Sequence, residues 1–386
     1  MTKAAGAPLR VAWLGHRSTT SGDGIITYSR ETTAGLRARG VDVVFFHHEP
    51  ALADADSVVL DALTLSHRLV ISRPGSRRRL VDLLREREID VVHVSFSFSS
   101  LDFNLPRLCH QLGIPIVGTF HVPFGQRPTV WSFTTSAVYR LYAQALAGCD
   151  AVIIFSAAQR DILASLGVPR DVIRVLPNGV DVDKYAPGPS DQRARFDAAR
   201  LFSYVGRLDP EKNVAELLEA FLAADPPPDH KLVIVGGGAE RRRLERRFHD
   251  PRVVFTGTIT DEQERIAILR ASDAFFLPSE VEGLSLAMLE AMACGVATVA
   301  TDVGSDGEAL RGAGVVLDPR YLEPELRAAV RHLIEVPEAC RLLGGLARDR
   351  VLERYSLAAN LDRLIELYRR LAPAPPAAVT PPGVRS

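Results

Sequence analysis

Residues 201–238 read LFSYVGRLDPEKNVAELLEAFLAADPPPDHKLVIVGGG, and this stretch decides the fold. LFSYVG and KLVIVGGG are short apolar runs that end in glycine. Between them, VAELLEAFLAA has the period of a helix. The two runs are nearly continuous in apolar residues rather than alternating. That marks strands buried on both faces, as in a parallel sheet covered by helices. The unit recurs along the chain. LRVAWLG, VDVVFF, IDVVHVSF, IPIVGTF, AVIIFS and VIRVLP read as strands in the first half, and RVVFTG, DAFFLPS and ATVAT in the second. Helical patterns such as YSRETTAGLRARG and RRRLVDLLREREI lie between them. Repeated strand–helix–strand units predict an α/β protein with two doubly wound domains.

The length of 386 residues suits two domains rather than one core. The break falls in DVDKYAPGPSDQRARF, residues 181–196, which separates a first domain, 1–185, from a second, 186–355. A closing helix follows in SLAANLDRLIELYRRLA, residues 356–372, and the Pro/Ala-rich tail 373–386 reads as disordered. Hydrophobic residues make up 47%, charged residues 24%, and the net charge is −1. No basic excess points to nucleic acid. The four cysteines form no CxxC pair, so a disulfide framework or structural zinc site is not expected and a reducing cytoplasm fits. The N-terminus has no signal-peptide apolar region, and no run reaches ~18 apolar residues. The expected location is therefore cytoplasmic, with peripheral contact at the membrane left open.

Ligands of doubly wound domains bind outside the carboxyl ends of the strands, so the loops there hold the chemistry. Four stretches are informative. In GHRSTTSGDGIITYSRE, Gly22 and Gly24 flank Asp23 where a helix starts near Ile25. Small residues let backbone N–H groups approach an anion there, although glycine turns are also common for purely structural reasons. In GRLDPEKN, Asp209 reads as an N-cap with Pro210 at the first helical position. Arg207 and Lys212 beside that helix start suit a pyrophosphate; the alternative is two solvated cations. VIVGGGAERRRLERRF resembles a dinucleotide fingerprint, but Arg241 stands where the last glycine is expected. A glycine-rich turn followed by a solvated arginine face is the better reading.

The fourth stretch, EGLSLAMLE, has Glu282 and Glu290 at the ends of an almost wholly apolar segment. With a helix starting near Gly283, residues Gly283, Leu284, Ser285 and Leu286 would offer N–H groups. The two carboxylates would lie ~12 Å apart along the axis at ~1.5 Å per residue. That spacing suits a nucleotide-sugar, with the phosphates at the helix start and one acid on the ribose. Alternatively, Glu282 caps the helix and Glu290 meets a surface cation.

These residues match a family. The E-x7-E of Glu282 and Glu290 within PSEVEGLSLAMLEAMACG, with GRLDPEKN upstream, closely resembles the retaining glycosyltransferases of family 4 (GT4), which have the GT-B fold. The resemblance spans nearly the whole chain and includes the Gly22/Gly24 loop, GTFHVPFG, LPNGVD and DVGSDGE. It implies two Rossmann-like domains facing across a cleft, with the final helix crossing back onto the first. It implies that Arg207 and Lys212 bind the donor diphosphate and stabilise the leaving nucleotide. By the same resemblance Glu290 binds the ribose, Glu282 and the backbone after Gly283 hold the sugar, Thr258 and Ile259 line the base pocket, and His121 faces the transferred sugar. The family's usual Gly-Gly after DV is Gly304-Ser305 here, which puts the donor sugar in question.

The implied reaction moves a hexose from a nucleotide-diphosphate sugar, with UDP favoured, to a hydroxyl. No DxD motif for a metal is present, and no nucleophile for a double displacement stands out, so same-face attack with neither metal nor cofactor is expected. Residues 96–142 contain nine aromatics: Phe96, Phe98, Phe103, Phe120, Phe124, Trp131, Phe133, Tyr139 and Tyr142, against 7% in the whole chain. A lipid or lipid-linked glycan as acceptor would account for them. SRPGSRRRLVDLLRERE carries six arginines beside Leu80, Leu83 and Leu84. It reads either as a helix docking on anionic lipid or as a surface helix with a core stripe. The competing functions are another GT-B enzyme such as a nucleotide-sugar epimerase or phosphorylase, an NAD-dependent oxidoreductase, and a non-catalytic binding relative.

Overall fold

A computed structural model describes residues 8–16, 24–52, 56–66, 69–73, 75–96, 99–124 and 130–372. The first domain holds strands β1 (Arg10–Leu14), β2 (Asp42–His47), β3 (Ser57–Val59), β4 (Ala62–Ser66), β5 (Leu69–Ser72), β6 (Val91–Phe96), β7 (Ile116–Phe120), β8 (Ala151–Ile154) and β9 (Ile173–Val175). Its helices are α1 (Gly24–Ala38), α2 (Ser76–Glu86), α3 (Leu105–Leu112), α4 (Val130–Ala147) and α5 (Ala157–Ser165). The second domain holds β10 (Arg200–Val205), β11 (His230–Val235), β12 (Val253–Gly257), β13 (Ala274–Leu277), β14 (Ala297–Thr301) and β15 (Val315–Leu317). Its helices are α6 (Gln192–Arg195), α7 (Val214–Ala223), α8 (Arg241–Arg247), α9 (Glu262–Ala271), α10 (Leu286–Ala293), α11 (Asp306–Leu310), α12 (Leu322–Glu335) and α13 (Pro337–Arg354), and α14 (Leu357–Leu371) follows.

Both main sheets are parallel. Their orders are β3-β2-β1-β6-β7-β8-β9 and β12-β11-β10-β13-β14-β15. Strand order reverses between β1 and β6 and again between β10 and β13, which are the two places where a doubly wound sheet opens a ligand crevice. The continuous apolar runs are explained by burial on both faces. Phe202 and Tyr204 of β10 pack into one core layer and Leu201 into the opposite one. In the first sheet, Ala12 and Leu14 face one layer and Val11 and Trp13 the other.

That last layer is closed by α14. Leu361, Leu364, Ile365, Leu367 and Tyr368 bury against Val11, Trp13, Val91, Val117 and Ile153. The chain thus returns to the first domain after completing the second. Arg39, just past the end of α1, pairs with Asp362 at 3.0 Å across the same contact.

Four short strands escape the sequence reading. β4 and β5 form an antiparallel hairpin apart from the main sheets, and β3 and β15 are three-residue edge strands. Such short segments carry too few residues to show a period. The aromatic cluster needs a correction. Phe96, Phe120, Phe124, Tyr139 and Tyr142 are buried in the first domain's core. Phe120 meets Tyr139 edge-on at 4.9 Å, so these rings pack each other rather than an acceptor. Phe103 is 40% exposed. Phe98 and the side chains of Trp131 and Phe133 lie outside what the structure describes, as do Gly22 and the tail 373–386.

Candidate active site

The two loops singled out in the second domain follow β10 and β13. These strands are neighbours at the switch point, so residues about 70 apart in sequence come into contact. Lys212 Nζ donates to Glu282 Oε1 at 2.6 Å, and Ser279 Oγ donates to the same oxygen at 2.8 Å. Both partners of this ion pair are largely buried, their side chains 11% and 15% exposed. Arg207 sits next to them and is more open. Its guanidinium is held by Asp209 and, at 3.1 Å, by Glu211. The cations expected to meet a diphosphate are therefore present, and each is held by a carboxylate.

The local helix readings are corrected in two places. Residues Pro210–Lys212 form a single 3-10 turn, and Asn213, in the left-handed region at φ 51°, separates it from α7. Asp209 makes no side-chain cap; it holds Arg207 and accepts from the Ala239 N–H. Likewise α10 begins at Leu286 rather than at Gly283, because Ser285 is the cap and accepts from the Met288 N–H at 3.3 Å. Glu282 and Glu290 therefore do not share one helix. Residues 282–285 are a loop, and three neighbours pin its backbone. Ser305 N–H donates to Gly283 O at 2.6 Å, and Asn178 Nδ2 donates to Leu284 O at 3.1 Å. Ser285 N–H donates to Asp306 Oδ1 at 2.8 Å, so that N–H is not free for phosphate.

Asp306 was not singled out from sequence beyond the acidic character of DVGSDGE. It is fully buried, and its Oδ2 has no partner among the described residues. Burial, reinforced by the Glu282 carboxylate, holds its pKa well above the usual carboxylate range. The Oγ of Ser305, His121 Nε2 and Asn178 Oδ1 are also buried without a partner. Unsatisfied buried polar atoms are rare, and three of these, on Asp306, Ser305 and Asn178, belong to residues bonded to the one loop. Gly304 lies at φ 55°, and a Cβ there would stand 2.0 Å from Glu282 O.

His121 follows β7 in the first domain and closes the other side of the cleft: a Cβ on Gly283 would lie 3.5 Å from the His121 carbonyl oxygen. Burial, with His16 nearby, pushes the His121 imidazole down to about 3, so the ring is neutral at physiological pH.

Glu290 lies one turn into α10 and lines a pocket between the domains with Tyr28 and Glu31 of α1, Lys184 and Tyr185 of the connecting segment, and Glu262 of α9. Lys184 spans the cleft, 3.5 Å from Glu31 and 3.1 Å from Glu262. Burial pushes the Glu290 carboxyl up to about 7, opposed by Arg265 and the Tyr185 hydroxyl. The sequence does not mark Lys184 and Tyr185, because DVDKYAPG reads as a linker and no local period marks a linker residue as part of a site. Thr258 and Ile259 sit where β12 ends; Thr258 is exposed, and Arg265 donates to Ile259 O at 3.0 Å. Gly24 opens α1, with open space where a Cβ would be. The glycine turn after β11 brings Gly236 against Gly206 O, a close backbone approach that fits the structural reading of that turn.

Known proteins match this chain in sequence and in fold. Residues 22–184 match the model of Glycosyltransferase Family 4, and residues 199–336 match that of Glycosyl transferases group 1. The chain is similar to a GDP-mannose-dependent alpha-mannosyltransferase of Mycolicibacterium smegmatis, 31% identical over 76% of this chain and 76% of that protein. It is also similar to an MMP alpha-(1->4)-mannosyltransferase of Mycolicibacterium hassiacum, 26% identical over 94% and 98%. Among solved structures, sucrose-phosphate synthase from Thermosynechococcus elongatus superposes with a TM-score of 0.74 at 24% identity, covering 94% of this chain and 99% of that one. The fold is GT-B.

Proposed function

The chain belongs to glycosyltransferase family 4, and on that premise we propose that it moves a hexose from a nucleotide-diphosphate sugar to a hydroxyl acceptor with retention of anomeric configuration. The observation that carries this reading is the convergence at one cleft of the Lys212–Glu282 pair, Arg207, the loop after Glu282 and Glu290, with His121 opposite. Glu290, as the carboxylate, accepts from the two ribose hydroxyls. Arg207 and Lys212 exchange carboxylate partners for the diphosphate, and Glu282 takes sugar hydroxyls. The loop after β12, with Thr258 and Ile259, carries the base.

The acceptor oxygen attacks the anomeric carbon on the face the phosphate leaves. The bond from that carbon to the phosphate oxygen breaks with its electron pair going to the phosphate, and the acceptor's proton passes to the same oxygen. Charge builds on the diphosphate, and preorganised cations stabilise it without reorganising. Ser279 holds one oxygen of Glu282 and, in this reading, sugar hydroxyls engage the carboxylate, so it is poorly placed as a nucleophile, which supports same-face attack. Arg207 and Lys212 take the charge that a divalent cation takes elsewhere, so transfer is proposed to be metal-independent. Undiminished turnover in EDTA would support this, and loss restored by Mg²⁺ would refute it.

The base is proposed to be uracil. GDP-mannose is the second reading, favoured by the GDP-mannose-dependent mannosyltransferase among the relatives. A melting-temperature panel of UDP-, GDP- and ADP-sugars separates them, because a ligand that binds only the native state raises the melting temperature. No rise with any of them would overturn the donor assignment. A lipid or lipid-linked glycan is the proposed acceptor class, with the enzyme working at the cytoplasmic face of an anionic membrane. Helix α2 supports this: Leu80 and Leu84 anchor it in the core, while Arg77, Arg78, Arg79 and Arg85 are exposed. Among the described residues no helix is long and apolar enough to cross a membrane. Vesicle binding lost on changing Arg77, Arg78 and Arg79 to Ser supports contact through α2, and no binding by the parent protein removes it.

A further inference from the structure

His121 is flanked by rings, and among the described residues its Nε2 has no hydrogen-bond partner. Tyr28 of α1 meets it edge-on with centroids 4.8 Å apart, and Phe155 flanks it at 5.2 Å. Tyr28 is itself tied inward, its hydroxyl 3.4 Å from Thr119 Oγ1. Thr119 continues to His93 Nε2 at 2.8 Å, and His93 Nδ1 to the Tyr368 hydroxyl at 2.5 Å. Trp13 stacks on the face of His93, 3.9 Å away and tilted by 11°. His93, Thr119 and Tyr368 are all 0% exposed.

This is a polar chain through a layer that is otherwise apolar. Aliphatic side chains would fill the layer without any desolvation cost, so a polar chain there calls for a reason. What it supplies is a single geometry. Burial keeps His93 neutral, so one ring nitrogen donates and the other accepts. Both nitrogens are engaged, which fixes the ring plane. Each hydroxyl along the chain can donate on one side and accept on the other, so every member is satisfied in one arrangement. The far end, Tyr368, belongs to α14, the helix that crosses over from the second domain.

We infer that Tyr368, His93, Thr119 and Tyr28 are positioning residues that fix the ring of His121, and that through them the C-terminal helix is part of the active-site structure. The inference rests on the proposed placement of His121 at the transferred sugar, and its test separates the two. The full-length enzyme is studied without ligand by imidazole nitrogen NMR, with the His121 signals identified by their loss in His121→Gln. Turnover is followed with UDP-glucose or GDP-mannose, whichever raises the melting temperature.

Thr119→Val and Tyr368→Phe should each shift the His121 signals and lower kcat about 10-fold, with the donor KM within about twofold, the signature of a misplaced group rather than lost binding. Thr119→Ser, which keeps the hydroxyl, should restore both. Unshifted His121 signals in Thr119→Val and Tyr368→Phe overturn the inference, even where the melting temperature falls. Shifted signals with unchanged kcat uphold the chain and refute the role of His121 in transfer.

Discussion

Replacing Glu290 with Gln should make the protein more stable and its donor weaker. Burial raises the Glu290 pKa from 4.5 to about 7. At 1.36 kcal/mol per unit, ionising this carboxyl in the folded protein costs about 3 kcal/mol relative to the unfolded chain. The sign follows from proton counts. Below pH 4.5 the group is protonated in both states and costs nothing. Between 4.5 and 7 the unfolded chain loses its proton while the folded one keeps it, so stability falls as pH rises. Above 7 both are ionised and the full deficit remains. Gln cannot ionise, so the variant escapes the deficit. At roughly 2–4 °C per kcal/mol for a domain of this size, its melting temperature should exceed the parent's by about 6 °C or more at pH 8 and match it near pH 4.5.

Donor binding should behave oppositely, because the ribose hydroxyls need the ionised acceptor. The donor-induced rise in melting temperature should shrink in the parent as pH drops below 7, with affinity falling towards tenfold per unit, and should be small and flat with pH in Glu290→Gln. The assay is a thermal melt from pH 4.5 to 8.5 with and without the nucleotide-sugar. A variant no more stable than the parent at pH 8, or a gap that does not change with pH, would refute the reasoning.

Lys212→Ala should lower turnover by ~10²-fold or more, the scale of losing one preorganised stabilising group; near-normal kcat removes Lys212 from the diphosphate site. Gly304→Ala places a Cβ 2.0 Å from Glu282 O at φ 55°, so the 282–285 loop must move. Titration calorimetry with the donor should show affinity reduced by about tenfold, and unchanged affinity would mean that the loop does not touch it. Gly236→Ala combines φ 145° with a Cβ 1.8 Å from Gly206 O. It should cost about 3 kcal/mol in denaturant unfolding, and a loss below about 1 kcal/mol would show that the turn can relax.

The amino-acid sequence by itself determined the strands and helices that build the two domains, because their signal is periodic and local. VAELLEAFLAA between LFSYVG and KLVIVGGG can hardly be read as anything but a helix between two buried strands. It also placed Arg207, Lys212 and Glu282 in loops after strands, where a parallel sheet presents its ligands, and Glu290 in the helix that follows. What it left undecided was pairing. That β10 lies beside β13, and so that Lys212 is bound by Glu282, follows from strand order, which depends on how helices pack on both faces of the sheet. The nine aromatics of residues 96–142 looked like a binding surface until the fold turned five of them inward, since burial is a property of neighbours and not of the residue. Lys184, sitting in a segment with no period of its own, became part of the Glu290 pocket only because the two domains close around it. Tyr368 lies 247 residues from His121 in sequence, and only the return of α14 to the first sheet brings the two within one chain of contacts.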